Sequence, residues 1–210
     1  MNTILISELS RVCDPYSIFD ETVDDQSIQK RAYISSLIGL MSDFGMDTRS
    51  TEEKLLQSKK MTLNIAAWKS RIERDGDDGI LAFKAWMDMN HFFDDLLMRM
   101  KYFALMASVD AGILLSMIQD ELAGPYFDRT IPNLVRSLIG GVARNLTFFH
   151  AIDASGYQFY AEQIEKIDTI NPQIASRLSK AFTSYELIDR ASQERMRIVI
   201  QDLLSLPELS

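Results

Sequence analysis

The stretch SIQKRAYISSLIGLMSDF, residues 27–44, decides the fold class. Its apolar residues Ile28, Ala32, Ile34, Leu37, Ile38 and Met41 recur at helical rather than alternating spacing, which predicts an amphipathic helix with one face against a core. Gly45 comes next as a stop, because glycine accepts the left-handed backbone that commonly ends a helix.

The same period runs outward in both directions. Upstream, Thr3 to Val12 reads as a helix ended at Asp14-Pro15, since proline disfavours a helical residue before it. An acidic irregular stretch, Phe19 to Asp25, separates the two. Downstream, Met46 to Ser50 reads as a polar turn. Thr51-Glu52-Glu53 then opens a helix with acids at its positive end. Thr62 reads as a cap for Leu63 to Arg74, and Asp75-Gly76-Asp77-Asp78-Gly79 as the clearest loop. Further helices are predicted over Ile80–Met89, Phe92–Met106, Asp110–Leu122 and Asn133–Ala143. A non-helical insert, Asn145–Ser155, precedes helices over Tyr157–Ile170 and Ala191–Leu204. Between those two, Asn171-Pro172 pairs a cap with proline at the first helical position. Strand alternation is nearly absent. The pattern predicts an all-α chain of short antiparallel helices and leaves an α-solenoid and an irregular bundle both open. Residues 1–210 read as a single α-helical domain, with 75–79 as the one candidate inner boundary.

Composition bounds the function. Hydrophobic residues make up 47% and charged residues 25%, a globular balance. Gly (9) and Pro (5) are too few to break long helices often. The net charge of -8 argues against a nucleic-acid partner, because phosphate backbones repel an acidic surface. No apolar run has the length of a bilayer span, so no membrane partner is expected. The N-terminal residues lack the basic and apolar regions of a signal peptide. Cys13, the only cysteine, can form no intramolecular disulfide, which points to a reducing cytoplasmic setting.

No catalytic constellation is complete. A zinc helix needs two histidines one turn apart with a glutamate between; His91 and His150 are the only histidines and lie far apart. A nucleophile elbow and a phosphate loop are both missing. Asp77-Asp78 and Asp94-Asp95 are adjacent acids that point apart on a helix, and so read as solvated helix starts. Trp68, Trp86, Phe92, Phe93, Tyr102 and Phe103 have core spacing rather than that of a ligand box. Two segments stand out. In residues 145–157, Asn145, His150, Asp153 and Ser155 read as a pinned helix–helix connection, with Asp153 or Ser155 capping the next helix. Gln173 and Arg177, four apart on one helical face, suit a carboxylate or a peptide backbone, and equally a surface pair.

Three ordered motifs carry a resemblance: NLVRSLIGG at 133–141, FHAIDASGY at 149–157 and NPQIASRL at 171–178. They resemble the C-terminal domain of the bacterial aminopeptidase N family, which reads approximately N-x-x-R-S-L-I-G, F-H-x-x-D-G-S-G-Y and N-P-Q-V-A-S-R-L. RMR at 195–197 fits the family's K-M-R, and weaker similarity reaches QKRA at 29–32 and MTLNIAA at 61–67. Ala154 stands where the family has glycine. The family's zinc helix, its downstream glutamate ligand and its G-A-M-E-N segment do not occur in this chain.

The resemblance implies a superhelical array of paired antiparallel helices, an armadillo/HEAT-like α-solenoid. It implies a noncatalytic domain, the terminal part of a zinc aminopeptidase that removes N-terminal residues from peptides. The chain would then be a fragment, a split gene product or a stand-alone relative. The domain would cover the active site and shape the substrate channel, with no cofactor of its own and zinc held in the parent's catalytic domain. Its partners would be that catalytic domain and peptide substrates, and self-association is expected of the isolated chain. Gln173 and Arg177 match the family's channel-facing pair. Asn133, Arg136, His150, Asp153, Ser155, Gly156, Tyr157, Asn171 and Pro172 take structural roles. The alternative is a stand-alone helical-repeat interaction module. An enzyme of unrelated chemistry has no residues to support it.

Overall fold

The computed structural model describes residues 25–109 and 111–207, with Ile4 and Ser7 as isolated positions before them and side chains left out at 111–113. Among the described residues there is no strand, and the chain is all-α as the periodicity predicts. Cys13, the irregular stretch before Asp25 and the helix expected over Thr3–Val12 lie outside the described residues, Ile4 and Ser7 apart. The chain forms two compact units, Met1–His91 and Phe92–Ser210.

In the first unit, α1 spans Asp25–Asp43, α2 Arg49–Leu56, α3 Met61–Asp75 and α4 Asp77–Met89. Helix α3 is the hub and packs against the other three. Ile34, Leu37, Ile38 and Met41 of α1 meet Leu55 of α2 and Leu63 and Ala67 of α3 in one core. Burial of each such aliphatic side chain stabilises the unit by about 1.5–3 kcal/mol for the larger ones. Two residues assigned to this face from the sequence, Ile28 and Ala32, are exposed instead. Residue 32 lies two positions before Ile34, a rotation of about 200° on a helix, and residue 28 is similarly off the stripe. Gly45 ends α1 at φ +64°, and Met46 N–H closes the turn onto Met41 O at 2.9 Å.

Three local expectations are corrected by the structure. Helix α2 starts at Arg49, before Thr51. Helix α3 starts at Met61 behind Lys60, so Thr62 lies inside its first turn and caps nothing. The stretch Asp75–Gly79 is a corner rather than a loop: only Gly76, at φ +58°, stands between α3 and α4. Asp77 and Asp78 then sit in the first turn of α4, where the helix dipole favours carboxylates. Gly79 makes the corner tight, since a Cβ there would lie 2.8 Å from Ile72 Cα. Trp68, Phe83 and Trp86 pack ring to ring, with Trp68 centroids 5.3 and 5.6 Å from the other two.

In the second unit, a 3₁₀ turn at Phe92–Asp94 leads into α5, Leu96–Met106. Asp95 caps α5 by accepting from Met98 N–H. Next come α6 (Ala111–Ala123), α7 (Pro132–Val142), α8 (Leu146–Phe149), α9 (Ser155–Asp168) and α10 (Pro172–Ser179). A 3₁₀ segment, Lys180–Leu187, joins α10 to α11, Arg190–Leu204. Helix α7 packs on α5, and α9 packs on both α10 and α11.

Candidate functional site

The three motif segments meet around α9. The insert expected to be non-helical at 145–155 contains α8, one helical turn. Asn145 explains it. Its Oδ1 accepts from Phe148 N–H at 3.3 Å, and its Nδ2 donates to Val109 O at 2.8 Å, so one side chain both starts the turn and ties it to the segment that follows α5. The turn closes at Ala154 with φ +64°, a left-handed conformation that costs a non-glycine residue about 1–2 kcal/mol. Asp153 Oδ1 accepts from Ser155 N–H at 3.0 Å. The Ser155 hydroxyl, together with that bond, holds the Asp153 carboxyl below its usual range. Neither capping candidate is the cap: Ala154 holds that position with no side-chain bond, Asp153 precedes it, and Ser155 is the first residue of the helix.

Gly156 and Tyr157 sit at the inner side of this turn. Tyr157 is fully buried and its ring meets Phe149 edge-on at 5.2 Å. Its Oη lies 2.6 Å from His150 Nδ1, a hydrogen bond in either donor sense. The Ser192 hydroxyl reaches the same phenol from α11, and Arg195 donates to Ser192 Oγ at 2.8 Å. Asp189 caps α11 by accepting from Ala191 and Ser192 N–H, both at 3.0 Å. The motif residues His150 and Tyr157 thus connect α8 and α9 to the start of α11. The sequence shows no sign of Ser192 and Arg195 as members of this network, because they lie over thirty positions away.

Burial pushes the His150 imidazole below its ordinary value of 6.5, against a smaller opposing pull from Asp189. The folded state therefore binds fewer protons than the unfolded state as the pH falls through that range. Stability from the neutral ring is fully present above about 6.5 and is lost on acidification through the lower folded value. The second unit is expected to melt at progressively lower temperature below pH 6.5, with part of that slope absent in His150→Gln. Thermal melts of both forms from pH 8 to pH 5 provide the check, and parallel slopes would count against it.

Helix α10 presents the other motif. Asn171 Oδ1 accepts from Ile174 N–H at 3.2 Å and Pro172 comes next at the first helical position, as its sequence predicts. Ile174, Ala175 and Leu178 face the core, while Gln173 and Arg177 are exposed on the opposite side. Among the described residues Arg177 has no carboxylate partner. Tyr160, buried in α9, donates its hydroxyl to Leu178 O at 3.2 Å and so fixes the end of α10 beside Arg177. On α7, Arg136 is exposed and bonded to Asn133 Oδ1. No group of three His, Cys, Asp or Glu side chains among the described residues is placed to hold an ion.

The family described as "Domain of unknown function (DUF3458_C) ARM repeats" matches residues 4–210. The chain belongs to this family. Aminopeptidase N of Escherichia coli (strain K12) is 38% identical over 111 residues, which are 52% of this chain and 13% of that protein. Aminopeptidase N of Haemophilus influenzae is 33% identical over 117 residues, 55% of this chain and 14% of that protein. The chain thus spans about one-seventh of the length of these relatives. A crystal structure of Legionella pneumophila aminopeptidase A in complex with aspartic acid superposes with a TM-score of 0.78 at 22% identity, covering 97% of this chain and 25% of that one. The resemblance to the C-terminal domain of aminopeptidase N, drawn from three motifs, therefore holds, and the ARM repeats of the family accord with the helical fold. Among the described residues of this domain, no helix is long and apolar enough to cross a membrane.

Proposed function

We propose that this ARM-repeat domain is the noncatalytic access domain of a cytoplasmic zinc aminopeptidase that removes N-terminal residues from peptides. It covers the active site and shapes the channel through which peptides arrive. The observation that carries this reading is the family match over residues 4–210 together with the aminopeptidase N relatives. Zinc and the bond-breaking groups belong to the catalytic domain, which is the main partner. This chain supplies shape, exclusion of water and charge. Gln173 and Arg177 face the channel, where the guanidinium can take a peptide carboxylate in a bidentate pair and the amide a backbone group. The net charge of -8 favours the approach of peptides with a cationic amino terminus.

In the assembled enzyme, Arg177→Ala is expected to raise KM for tetrapeptides roughly tenfold, the loss of one charge-assisted contact, and to leave kcat on a single-residue alanyl reporter unchanged. Unaltered tetrapeptide kinetics would remove Arg177 from the channel. A second reading, a helical-repeat interaction module acting alone, draws on the strong exposure of Ile152 (85%) and Leu187 (87%). Immunodetection of the native product separates the two. A band several times larger than 24.0 kDa supports the access domain, and a band at 24.0 kDa supports the module.

A further inference from the structure

Helices α9 and α11 pack together within the second unit, and an open groove of about 300 Å³ runs along their junction. Its lining residues are 158, 161, 162 and 165 of α9 and 198, 199 and 202 of α11. They recur at helical spacing, so the groove follows about two turns of each helix, on the order of 11 Å. Ala161, Val199 and Leu203 form a buried apolar floor. Ile198 continues it outward and is 47% exposed. Carboxylates stand on both sides, Glu162 and Glu165 on α9 and Asp202 on α11, all three exposed. Glu162 has Lys166 Nζ at 3.7 Å, an exposed pair of the kind that holds weakly and exchanges readily. Glu165 and Asp202 form no ion pair among the described residues. The acids on the two sides are not placed to hold a metal ion.

We propose that this groove takes an amphipathic helix whose aliphatic stripe is flanked on both sides by lysines or arginines. The stripe lies on Val199, Leu203 and Ile198, the way a helix commonly docks in a groove. The flanking cations meet Glu165 from one side and Asp202 from the other, and compete with Lys166 for Glu162. Charge selects this partner over the others. A second copy of this chain brings the same carboxylates and a net charge of -8, which oppose its approach. A phosphate-bearing ligand is repelled for the same reason. The groove does not depend on the access role and involves neither Gln173 nor Arg177.

The test is titration of the full 210-residue chain into a fluorescent helical peptide of leucine and lysine with its leucines on one face. Salt is held at about 0.15 M, where long-range attraction is screened. Saturable anisotropy is expected, with backbone amide NMR shifts confined to residues 158–166 and 198–206. A scrambled peptide of the same composition, which has no apolar face, should bind at least tenfold more weakly, and the peptide with glutamate for lysine should not bind. Glu165→Lys with Asp202→Lys should weaken binding at least tenfold. Asp120→Lys with Glu186→Lys, an equal change of charge at exposed positions away from the groove, should leave it within threefold. Ile198→Asp should also lose at least tenfold. Equal losses in the two double variants would reduce the binding to net charge and overturn the proposal. A wild-type chain that does not saturate, or shifts that fall outside the groove, would overturn it as well. A dimer of the wild-type chain that Ile198→Asp dissolves would give the groove to a second copy instead.

Discussion

Gly156→Ala is expected to destabilise the second unit by at least about 3 kcal/mol, at the upper end for overpacking, and to lower its melting temperature by about 10 °C or more. A Cβ at this position would lie 2.2 Å from Phe148 O, 2.7 Å from Phe149 O and 2.8 Å from Phe149 Cα. All three are backbone atoms, so no rotamer change relieves the clash. The turn they belong to is held on every side. Asn145 ties its start to Val109 O. Phe149 is fixed by the rings of Tyr157, Tyr160 and Phe182 at 5.2, 5.3 and 6.0 Å. Relief would require α8 to leave α9, which breaks the Asn145 bond and opens that aromatic cluster. Gly140→Ala is the matched control, because its Cβ would meet only Leu178 Cδ2 at 3.7 Å; its cost should stay below about 1 kcal/mol. Both tryptophans, Trp68 and Trp86, belong to the first unit, so this loss is read by hydrogen exchange over residues 132–204 rather than by tryptophan emission. Equal protection in the two variants would show that the turn can shift freely.

Gly156 also shows where the sequence is legible and where it is not. Its place in a motif is visible, but the reason is a carbonyl seven or eight positions back that only the folded turn brings near. Local signals are readable because their causes are local. Asn171-Pro172 starts α10 through a side chain three residues from the amide it binds, and Gly45 stops α1 through its own backbone. Thr62 fails as a cap because a capping preference is weak beside the tertiary fit that starts α3 at Met61. The run of Asp and Gly at 75–79 resembles a loop by composition, yet two of those acids are there for the first turn of α4 and Gly79 for a close helix approach. In α1, the apolar residues Ile28 and Ala32 are legible as hydrophobic, but which part of a long helix meets α3 is set by α3. Around the candidate site, His150, Tyr157 and Asn145 can be picked out from their segment. Their partners Ser192, Arg195 and Val109 cannot, since pairings across thirty or more residues leave no trace in spacing.

The pairing hardest to foresee from the sequence lies in the first unit, where Arg74→Ala is expected to cost about 3–5 kcal/mol, the usual penalty for stranding a buried charge. Glu52 is 3% exposed. A single oxygen, Oε1, accepts from Thr48 Oγ1 at 2.6 Å, Ser70 Oγ at 2.9 Å and Arg74 Nη1 at 2.5 Å. Arg74 also grips Asp75 with Nε and Nη2 at 2.8 and 3.0 Å, and these bonds to Asp75 and Glu52 raise its pKa. The two ends of the pair are therefore unequal. Without Arg74, the Glu52 carboxylate stays buried with two hydroxyls, whose oxygens lie 3.0 Å apart. Without the Glu52 charge, Arg74 keeps Asp75 at the surface, and in Glu52→Gln the amide oxygen still accepts from Thr48 and Ser70. Glu52→Gln should accordingly cost only about 1–2 kcal/mol, the worth of a charged hydrogen bond exchanged for a neutral one. The double variant should be markedly more stable than the sum of the single losses, because the stranded charge is gone. Urea unfolding monitored by Trp68 and Trp86 emission reports on this unit directly. Should Glu52→Gln prove the more damaging of the two, the pair would be held by the fit of the carboxylate to its hydroxyls, and Arg74 would be a surface partner of Asp75 first.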